Sequence, residues 1–241
     1  MSLLMDPLSA RPPTESTGRI VLMAVLGVDG CRLGWVGVRW DEDATEVVVA
    51  PTIAELVAAA GDVAAVAIDI PIGLPTAEPR TAEKLARRQL PGRASTVFNA
   101  PARAVLDQPD YHAANSANRA ALGLGLSKQT WYLVPKIRDV HEWLTTRPTM
   151  PVVEAHPEVC FAAMNGAVLV DGKTTAAGEA HRRRLLADHG LAVEAHARRG
   201  VAVDDVLDAA ATAWTARRLL LGQAERLPPE PRDQLSPAIW C

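Results

Sequence analysis

Three apolar stretches of the sequence each carry one carboxylic acid near their end. Asp29, Asp69 and Glu154 interrupt runs of Val, Ile, Leu and Ala that are typical of buried β-strands. An ionised carboxylate on a buried strand destabilises a fold by several kcal/mol unless another charge compensates it. One such acid could pair with an arginine, but three of them at strand ends indicate a shared cation. That edge of an open α/β sheet is also where ligands bind.

A further acidic group, Asp204, Asp205 and Asp208, opens the last helical stretch of the chain. Asp205 and Asp208 are three residues apart, so they share a helix face and could both point at the strand-end acids. Oxygen donors without a His or Cys pattern favour Mg²⁺ or Mn²⁺ over zinc. Two such ions about 3.5–4 Å apart would suit phosphodiester hydrolysis by an activated water. The predicted metal ligands, which are also the predicted catalytic acids, are Asp29, Asp69, Glu154, Asp205 and Asp208.

Each acid also has a simpler explanation when it is taken alone. Asp204 is expected to be a helix N-cap, and Asp205 could merely favour the helix dipole. Asp29 and the glycine after it form a common turn pair. Glu158 competes with Glu154 for the third position, although an acid in the first turn of a helix needs no function. The prediction therefore depends on the set of acids and not on any single member.

Cationic side chains that could position a phosphodiester and offset its charge lie between and after the predicted strands. Lys136, next to Pro135 in a helical stretch, is the predicted catalytic cation. The predicted substrate-binding residues are Arg32, Lys128, Arg138, Lys173 and Arg182. Each of them could instead be a solvated surface charge, and the run of three arginines at 182–184 is typical of an exposed helix face.

Composition limits the class of protein. The chain has 241 residues, 49% hydrophobic and 22% charged, which is ordinary for one soluble globular domain. A net charge of -3 excludes a wholly basic nucleic-acid coat. No stretch of eighteen apolar residues predicts a membrane span, and the N-terminus lacks a secretory signal. Three widely spaced cysteines without a CxxC motif favour a reducing, cytoplasmic location over a disulfide framework or a zinc site.

The pattern of apolar residues predicts an α/β domain that begins with an antiparallel meander and continues with a helical crossover. Predicted strands cover 20–28, 34–40, 46–50, 64–70 and 151–155, and predicted helices cover 52–60, 81–89, 111–122, 127–144, 177–189 and 203–221. Thr52 is expected to cap the first of these helices, with Glu55 three residues later. Residues 1–19 are expected to be a disordered leader and 226–241 an irregular, proline-rich tail. Between them, 20–225 form one domain, with a helical insertion at about 73–149 between strands four and five.

Several strings of residues, taken together, resemble one known family. Gly27-Val28-Asp29-Gly30-Cys31-Arg32-Leu33-Gly34-Trp35 is similar to the opening of the family named domain of unknown function 429. Strings at 68–74, 95–98, 101–103, 125–129, 135–140, 154–161 and 204–209 also resemble it, in order, across roughly residues 25 to 222. Two departures are Asn99, where the family has Pro, and Ala155. Neither departure removes a candidate ligand.

That family is described as predicted nucleases of ribonuclease H-like fold. The resemblance implies a mixed five-stranded sheet in the order 3-2-1-4-5, with strand two antiparallel and helices on both faces. It also implies two divalent ions held by Asp29, Asp69, Glu154 and either Asp205 or Asp208.

Three functions remain open on the sequence. The first is a Mg²⁺- or Mn²⁺-dependent phosphodiesterase or nuclease acting on structured DNA or RNA, or on a smaller phosphodiester. The second is a phosphate-handling enzyme of the actin-like and sugar-kinase branch, because Asp29-Gly30 followed by a hairpin resembles its phosphate loop. The third is a non-catalytic ion-binding protein of the same fold. No membrane partner is expected, and the oligomeric state, a homodimer included, is left open.

Overall fold

The computed structural model describes residues 23–42, 44–197, 199–229 and 237–241. The predicted leader at 1–19, the beginning of the first predicted strand and the middle of the predicted tail lie outside the described residues. The described chain forms a mixed α/β fold around one twisted sheet.

The sheet has seven strands in the order β3-β2-β1-β4-β5-β7-β6. The strands are β1 (Val25–Cys31), β2 (Gly34–Trp40), β3 (Thr45–Ala50), β4 (Ala65–Ile68), β5 (Val152–Ala155), β6 (Arg226–Leu227) and β7 (Ile239–Trp240). β2 runs antiparallel to β1 and β3, whereas β1, β4, β5 and β7 are parallel neighbours. The prediction of five strands is wrong in number, because parts of the tail that was predicted to be irregular add β7 and β6 at the β5 edge.

The described residues contain seven α-helices. They are α1 (Ile53–Ala60), α2 (Thr81–Gln89), α3 (Tyr111–Leu122), α4 (Lys128–Thr145), α5 (Pro157–Asn165), α6 (Ala176–Asp188) and α7 (Val203–Leu220). The predicted cap of α1 is confirmed, since Thr52 Oγ1 accepts a hydrogen bond from the Glu55 backbone N–H at 3.3 Å. At α7 the N-cap is Ala202, so the prediction that Asp204 caps this helix is wrong.

Alternate residues of the central strands bury into two separate apolar cores, one on each face of the sheet. Val25 of β1 packs into the core that contains α5, α6 and α7, whereas Leu26 packs into the core that contains α1, α3 and α4. This alternation continues to the strand end, so Asp29 follows the parity of Val25 and lies on the α7 side. Cys31, Cys160 and Cys241 are free and buried.

Helix α7 lies unusually close to β1, and Gly27 makes this approach possible. A Cβ atom on Gly27 would lie 2.0 Å from the backbone N of Ala213 and 2.1 Å from the backbone O of Ala209. Both of these are backbone atoms of the helix, so a rotamer change cannot relieve the overlap. The close contact fixes how far α7 stands from the ends of β1 and β4.

We therefore predict that Gly27→Ala lowers the free energy of unfolding by at least about 3 kcal/mol, the upper end of typical overpacking costs. Gly125→Ala is the matched control, because its Cβ would meet only side-chain atoms, those of Arg119 at 3.3 Å and Asn115 at 3.6 Å, and no backbone. Urea unfolding of both variants checks this. A Gly27→Ala protein as stable as Gly125→Ala would contradict the assigned contact.

Candidate active site

Three of the predicted acids come together at the end of the sheet. Asp29 ends the apolar part of β1, Asp69 follows β4, and Asp208 lies on α7. The neighbouring strands are in register there, because the Asp69 backbone N–H donates to the Val28 carbonyl at 2.9 Å. We call Asp29, Asp69 and Asp208 the carboxylate triad.

Burial raises the pKa of all three carboxyl groups of the triad, and repulsion between the acids adds to the shift at Asp29 and Asp208. Burial raises the pKa of Asp69 to about 7, and burial together with the charge of Asp69 raises that of Asp208 to about 6. Burial, together with the charges of Asp69 and Asp208, raises the pKa of Asp29 well above its ordinary value. Such shifts are common where a protein holds like charges together for function.

The triad is only partly satisfied by polar partners. The Gly30 backbone N–H donates to Asp29 Oδ1 at 2.7 Å, and Lys173 Nζ donates to Asp208 Oδ2 at 2.7 Å. Asp208 Oδ1 is buried and has no hydrogen-bond partner in the described part of the chain. Lys173 also lies 3.2 Å from Asp204. Burial lowers the pKa of Lys173, but Asp208 and Asp204 raise it more, so the ammonium stays charged.

Glu154 does not join the triad, and its predicted place there is wrong. Arg80 binds both of its carboxylate oxygens at 2.8 Å, and the Ile72 backbone N–H donates to Oε2 at 2.7 Å. Glu154 is in register with Ile68, and Ile68 packs into the core that contains α1, α3 and α4. Its side chain therefore lies on the opposite face of the sheet from Asp69.

Glu158 lies at the edge of the triad instead. It is buried in the first turn of α5 and adds to the negative charge that raises the pKa of Asp208. Its Oε1 accepts from Arg182 Nη2 at 2.5 Å. Arg182 is fully buried and lies over the Phe161 ring, with its guanidinium carbon 5.2 Å from the ring centroid. The predictions that Arg182 binds substrate or lies on an exposed helix face do not fit the structure, because its guanidinium is buried in the ion pair with Glu158.

Asp205 serves the helix and not the triad. Its Oδ2 accepts the backbone N–H of Ala202 at 2.9 Å, which turns the carboxylate back towards the N-terminus of α7. Sequence spacing placed Asp205 and Asp208 on one face, but the capping contact takes Asp205 away from Asp208.

Lys136 holds the insertion to the turn between β1 and β2, and Arg138 connects two parts of the insertion. Lys136 Nζ donates to the carbonyls of Cys31, at 3.1 Å, and Gly34, and it lies 4.7 Å from the centroid of the Trp35 ring. Arg138 Nε donates to the Leu106 carbonyl at 3.0 Å. These contacts are with backbone and ring atoms, so the structure gives both residues a structural role.

The remaining predicted cations are at the surface. Lys128 begins α4 and is exposed, with its Nζ 5.9 Å from the centroid of the Tyr111 ring. Arg32 is exposed in the turn between β1 and β2, and its side chain makes no hydrogen bond to the described part of the chain. Neither residue lines the cavity at the triad.

A cavity of about 340 Å³ opens onto two members of the triad, Asp69 and Asp208, and we call it the carboxylate cavity. Asp69, Asp208, Glu158 and Lys173 line one side, and the residues that the sequence analysis missed line the rest: Arg93, Thr96, Phe98, Gln129, Leu133, His156 and Pro157. His156 directly follows β5, so the strand-end argument used for the acids would have found it. The residues from the insertion carry no comparable signal.

As the side chains are placed, no group of three or more His, Cys, Asp or Glu residues among those described could hold a metal ion. No helix in the described ranges is both long enough and apolar enough to cross a membrane.

Comparison with known families settles where the chain belongs. A family model described as "protein of unknown function (DUF429)" matches residues 27–233. The chain is a member of the DUF429 family. The DUF429 match covers the whole triad and every residue that lines the carboxylate cavity. No curated protein and no solved structure was found to match the chain.

The raised pKa of Asp69 predicts a pH-dependent stability. Its pKa of about 7 in the folded protein lies above the value near 3.9 expected for an unfolded chain, so folding favours the protonated form. The stabilising contribution is complete below about pH 4 and is lost as the pH rises through about 7. Asp69→Asn removes this loss, so the metal-free variant gains stability relative to wild type between pH 5 and pH 8.

Urea unfolding in EDTA at pH 5 and at pH 8 measures the difference in the free energy of unfolding between Asp69→Asn and wild type. Asp62→Asn is the control, because Asp62 is exposed near the opposite end of β4. If the stability difference between Asp69→Asn and wild type does not change with pH, the fold does not raise the pKa of the Asp69 carboxyl group.

Arg80 should matter for stability, because its loss would leave Glu154 buried and unpaired. We predict that Arg80→Met costs about 3–5 kcal/mol, as is usual when one partner of a buried ion pair is removed. The more exposed pair of Arg39 and Asp41, 3.0 Å apart, is the matched control, and Arg39→Met should cost less than about 1 kcal/mol. Similar costs for the two variants, measured by urea unfolding, would contradict the structural assignment of Glu154.

Proposed function

We propose that this protein is a divalent-metal-dependent phosphodiesterase, and that the three carboxylates of the triad bind its metal ion. The observation that carries the proposal is the convergence of Asp29, Asp69 and Asp208 at one sheet edge, where burial raises each pKa and repulsion raises those of Asp29 and Asp208 further above their ordinary values. The fold does not require three carboxylates to converge, and their convergence is destabilising when no cation is bound.

A hard divalent cation matches the chemistry of these residues. All donors of the triad are carboxylate oxygens, the kind that Mg²⁺ and Mn²⁺ prefer, and the buried Oδ1 of Asp208 has no partner in the described chain. When bound, such an ion supplies Lewis-acid stabilisation of phosphate charge and lowers the pKa of an attacking water. Its binding also displaces protons from carboxyl groups with raised pKa values, so affinity should increase with pH.

The remaining contribution comes from cations of the chain. Lys173 is partly exposed beside Asp208, so its ammonium can offset the charge of an incoming phosphate. Arg93 lines the same cavity from the insertion. Because positive charge and carboxylates line one cavity, a phosphate ester is the substrate class that it suits best.

The arrangement of the strands supports a ribonuclease H-like organisation as part of the proposal. Within the longer sheet, β3, β2, β1, β4 and β5 are consecutive neighbours, and β2 is antiparallel to β1. Asp29 and Asp69 stand at the ends of the adjacent strands β1 and β4, and Asp208 is on the long helix behind them. This is the placement that the family resemblance implied for three of its four acids.

The test measures Mn²⁺ binding by isothermal titration calorimetry and Mn²⁺-dependent cleavage of bis(p-nitrophenyl) phosphate, DNA and RNA. We expect wild type to bind and cleave, and Asp69→Asn and Asp208→Asn to lose both. Asp62→Asn should behave as wild type, because it changes the same charge at an exposed position away from the triad.

A wild-type protein that cleaves none of these substrates with Mn²⁺ would contradict the proposal, and so would two further results. The first is an absence of Mn²⁺ binding at pH 8, where the carboxyl groups are ionised. The second is cleavage that persists in both Asp69→Asn and Asp208→Asn.

A further inference from the structure

We infer that the carboxylate cavity takes one unpaired nucleotide unit at a time, so that the substrate is a single-stranded segment or a nucleic-acid end and not the interior of a duplex. This inference rests on the proposed function and names its substrate class.

The insertion between β4 and β5 covers the triad. Leu133 of α4 and Phe98, which follows a short 3₁₀ turn at Ala94–Thr96, both line the cavity above Asp69 and Asp208. The carboxylates are therefore reached through a walled opening and not across a flat surface. A duplex can lie along an open face, but only a segment that leaves the helix can enter a walled site.

The size of the cavity fits one nucleotide. Its volume of about 340 Å³ lies near the lower end of the roughly 300–1,000 Å³ that small-molecule sites occupy. One nucleotide is comparable to a small ligand in size, whereas two stacked base pairs are several times larger.

Phe98 offers a face on which a base can stack. Its side chain is only partly buried, it belongs to neither apolar core, and it makes no ring contact with another aromatic residue in the described chain. An aromatic side chain that lines a cavity without packing into a core is typical of a stacking platform for single-stranded nucleic acid.

His156 supplies an independent sign of a missing polar partner. Its Nε2 lies 3.3 Å from the carbonyl oxygen of Thr96, which can only accept a hydrogen bond, so this nitrogen is the donor. Nδ1 is then an acceptor, and it is buried without a partner in the described residues. Buried acceptors are rarely left unsatisfied, and His156 is one of the residues that line the cavity.

Cationic side chains are placed to bind the phosphate of a nucleotide in the carboxylate cavity. Arg93 lines the cavity and uses Nη2 to donate to the Val170 carbonyl at 2.6 Å, while its remaining guanidinium nitrogens make no hydrogen bond to described residues. Together with Lys173, it places positive charge next to the triad. Stacking, a hydrogen-bond acceptor and cations are the features that bind an unpaired nucleotide.

The test compares Mn²⁺-dependent cleavage of one labelled sequence as a single strand, as a blunt duplex and as a duplex with a single-stranded 3′ overhang. Extracting a paired nucleotide costs a few kcal/mol, so cleavage inside the duplex should be about 100-fold slower or more. The overhang should be cut at the single-strand rate.

Phe98 variants test the stacking platform. Phe98→Leu keeps an apolar side chain but removes the ring, and it should raise KM for the single strand by about 5- to 100-fold, the size of one base–aromatic stack. Phe98→Trp should restore binding. Mn²⁺ affinity should be unchanged in both variants, and circular dichroism confirms that they are folded.

The outcomes separate this inference from the proposed function. If duplex interiors are cut as fast as single strands, or if only bis(p-nitrophenyl) phosphate is cut, the inference is wrong and the phosphodiesterase stands. If nothing is cut but thymidine 5′-monophosphate binds in a Phe98-dependent manner, the inference stands as a nucleotide site and the phosphodiesterase is wrong. If there is neither cleavage nor nucleotide binding, both are wrong.

Discussion

The structure depends on holding three like charges close together where they cannot move apart. Asp29 and Asp69 are fixed by the register of two neighbouring parallel strands, and Asp208 is fixed by a helix that touches β1 through Gly27. Backbone contacts set all three positions, so side-chain rotation alone cannot fully relieve their repulsion. Lys173 compensates part of the charge from one side. The fold therefore keeps a local electrostatic cost, which a bound cation would remove.

The other buried acids of the described chain show what ordinary compensation looks like. Arg80 binds both oxygens of Glu154, and Arg182 binds Glu158. Arg80 also pairs with the buried Glu83, so one guanidinium serves two of these carboxylates. The triad differs because its acids lie next to one another and none of them pairs with an arginine among the described residues. Buried carboxylates in this protein thus fall into two groups, those that stabilise the fold and those that are available to a ligand.

Local signals predicted the helices well, because caps and apolar periodicity depend on neighbouring residues. Helices α2 and α3 begin and end where the pattern of residues placed them, and Thr52 caps α1 as expected. The strands β6 and β7 were missed because two-residue strands carry no periodicity. They form only through pairing with β5, which is distant in sequence.

The candidate site was predicted only in part, because some of its contacts join residues that are distant in sequence. Strand-end position correctly grouped Asp29 with Asp69. It failed for Glu154, because a shift of one residue along a strand moves a side chain to the other face. The pairing of Ile68 with Glu154 that reveals this shift is a tertiary fact. Spacing along α7 identified Asp208 but could not show that Asp205 turns back to cap the helix. Arg182 looked exposed in a run of arginines, yet Glu158 holds it in the core.

The most direct test of the central claim is a crystal structure of the protein soaked with Mn²⁺ at pH 8, with anomalous diffraction used to locate the ion. We expect an anomalous peak within coordination distance of carboxylate oxygens from Asp29, Asp69 and Asp208. A map without a peak at these residues, or with Mn²⁺ bound only elsewhere, would contradict it.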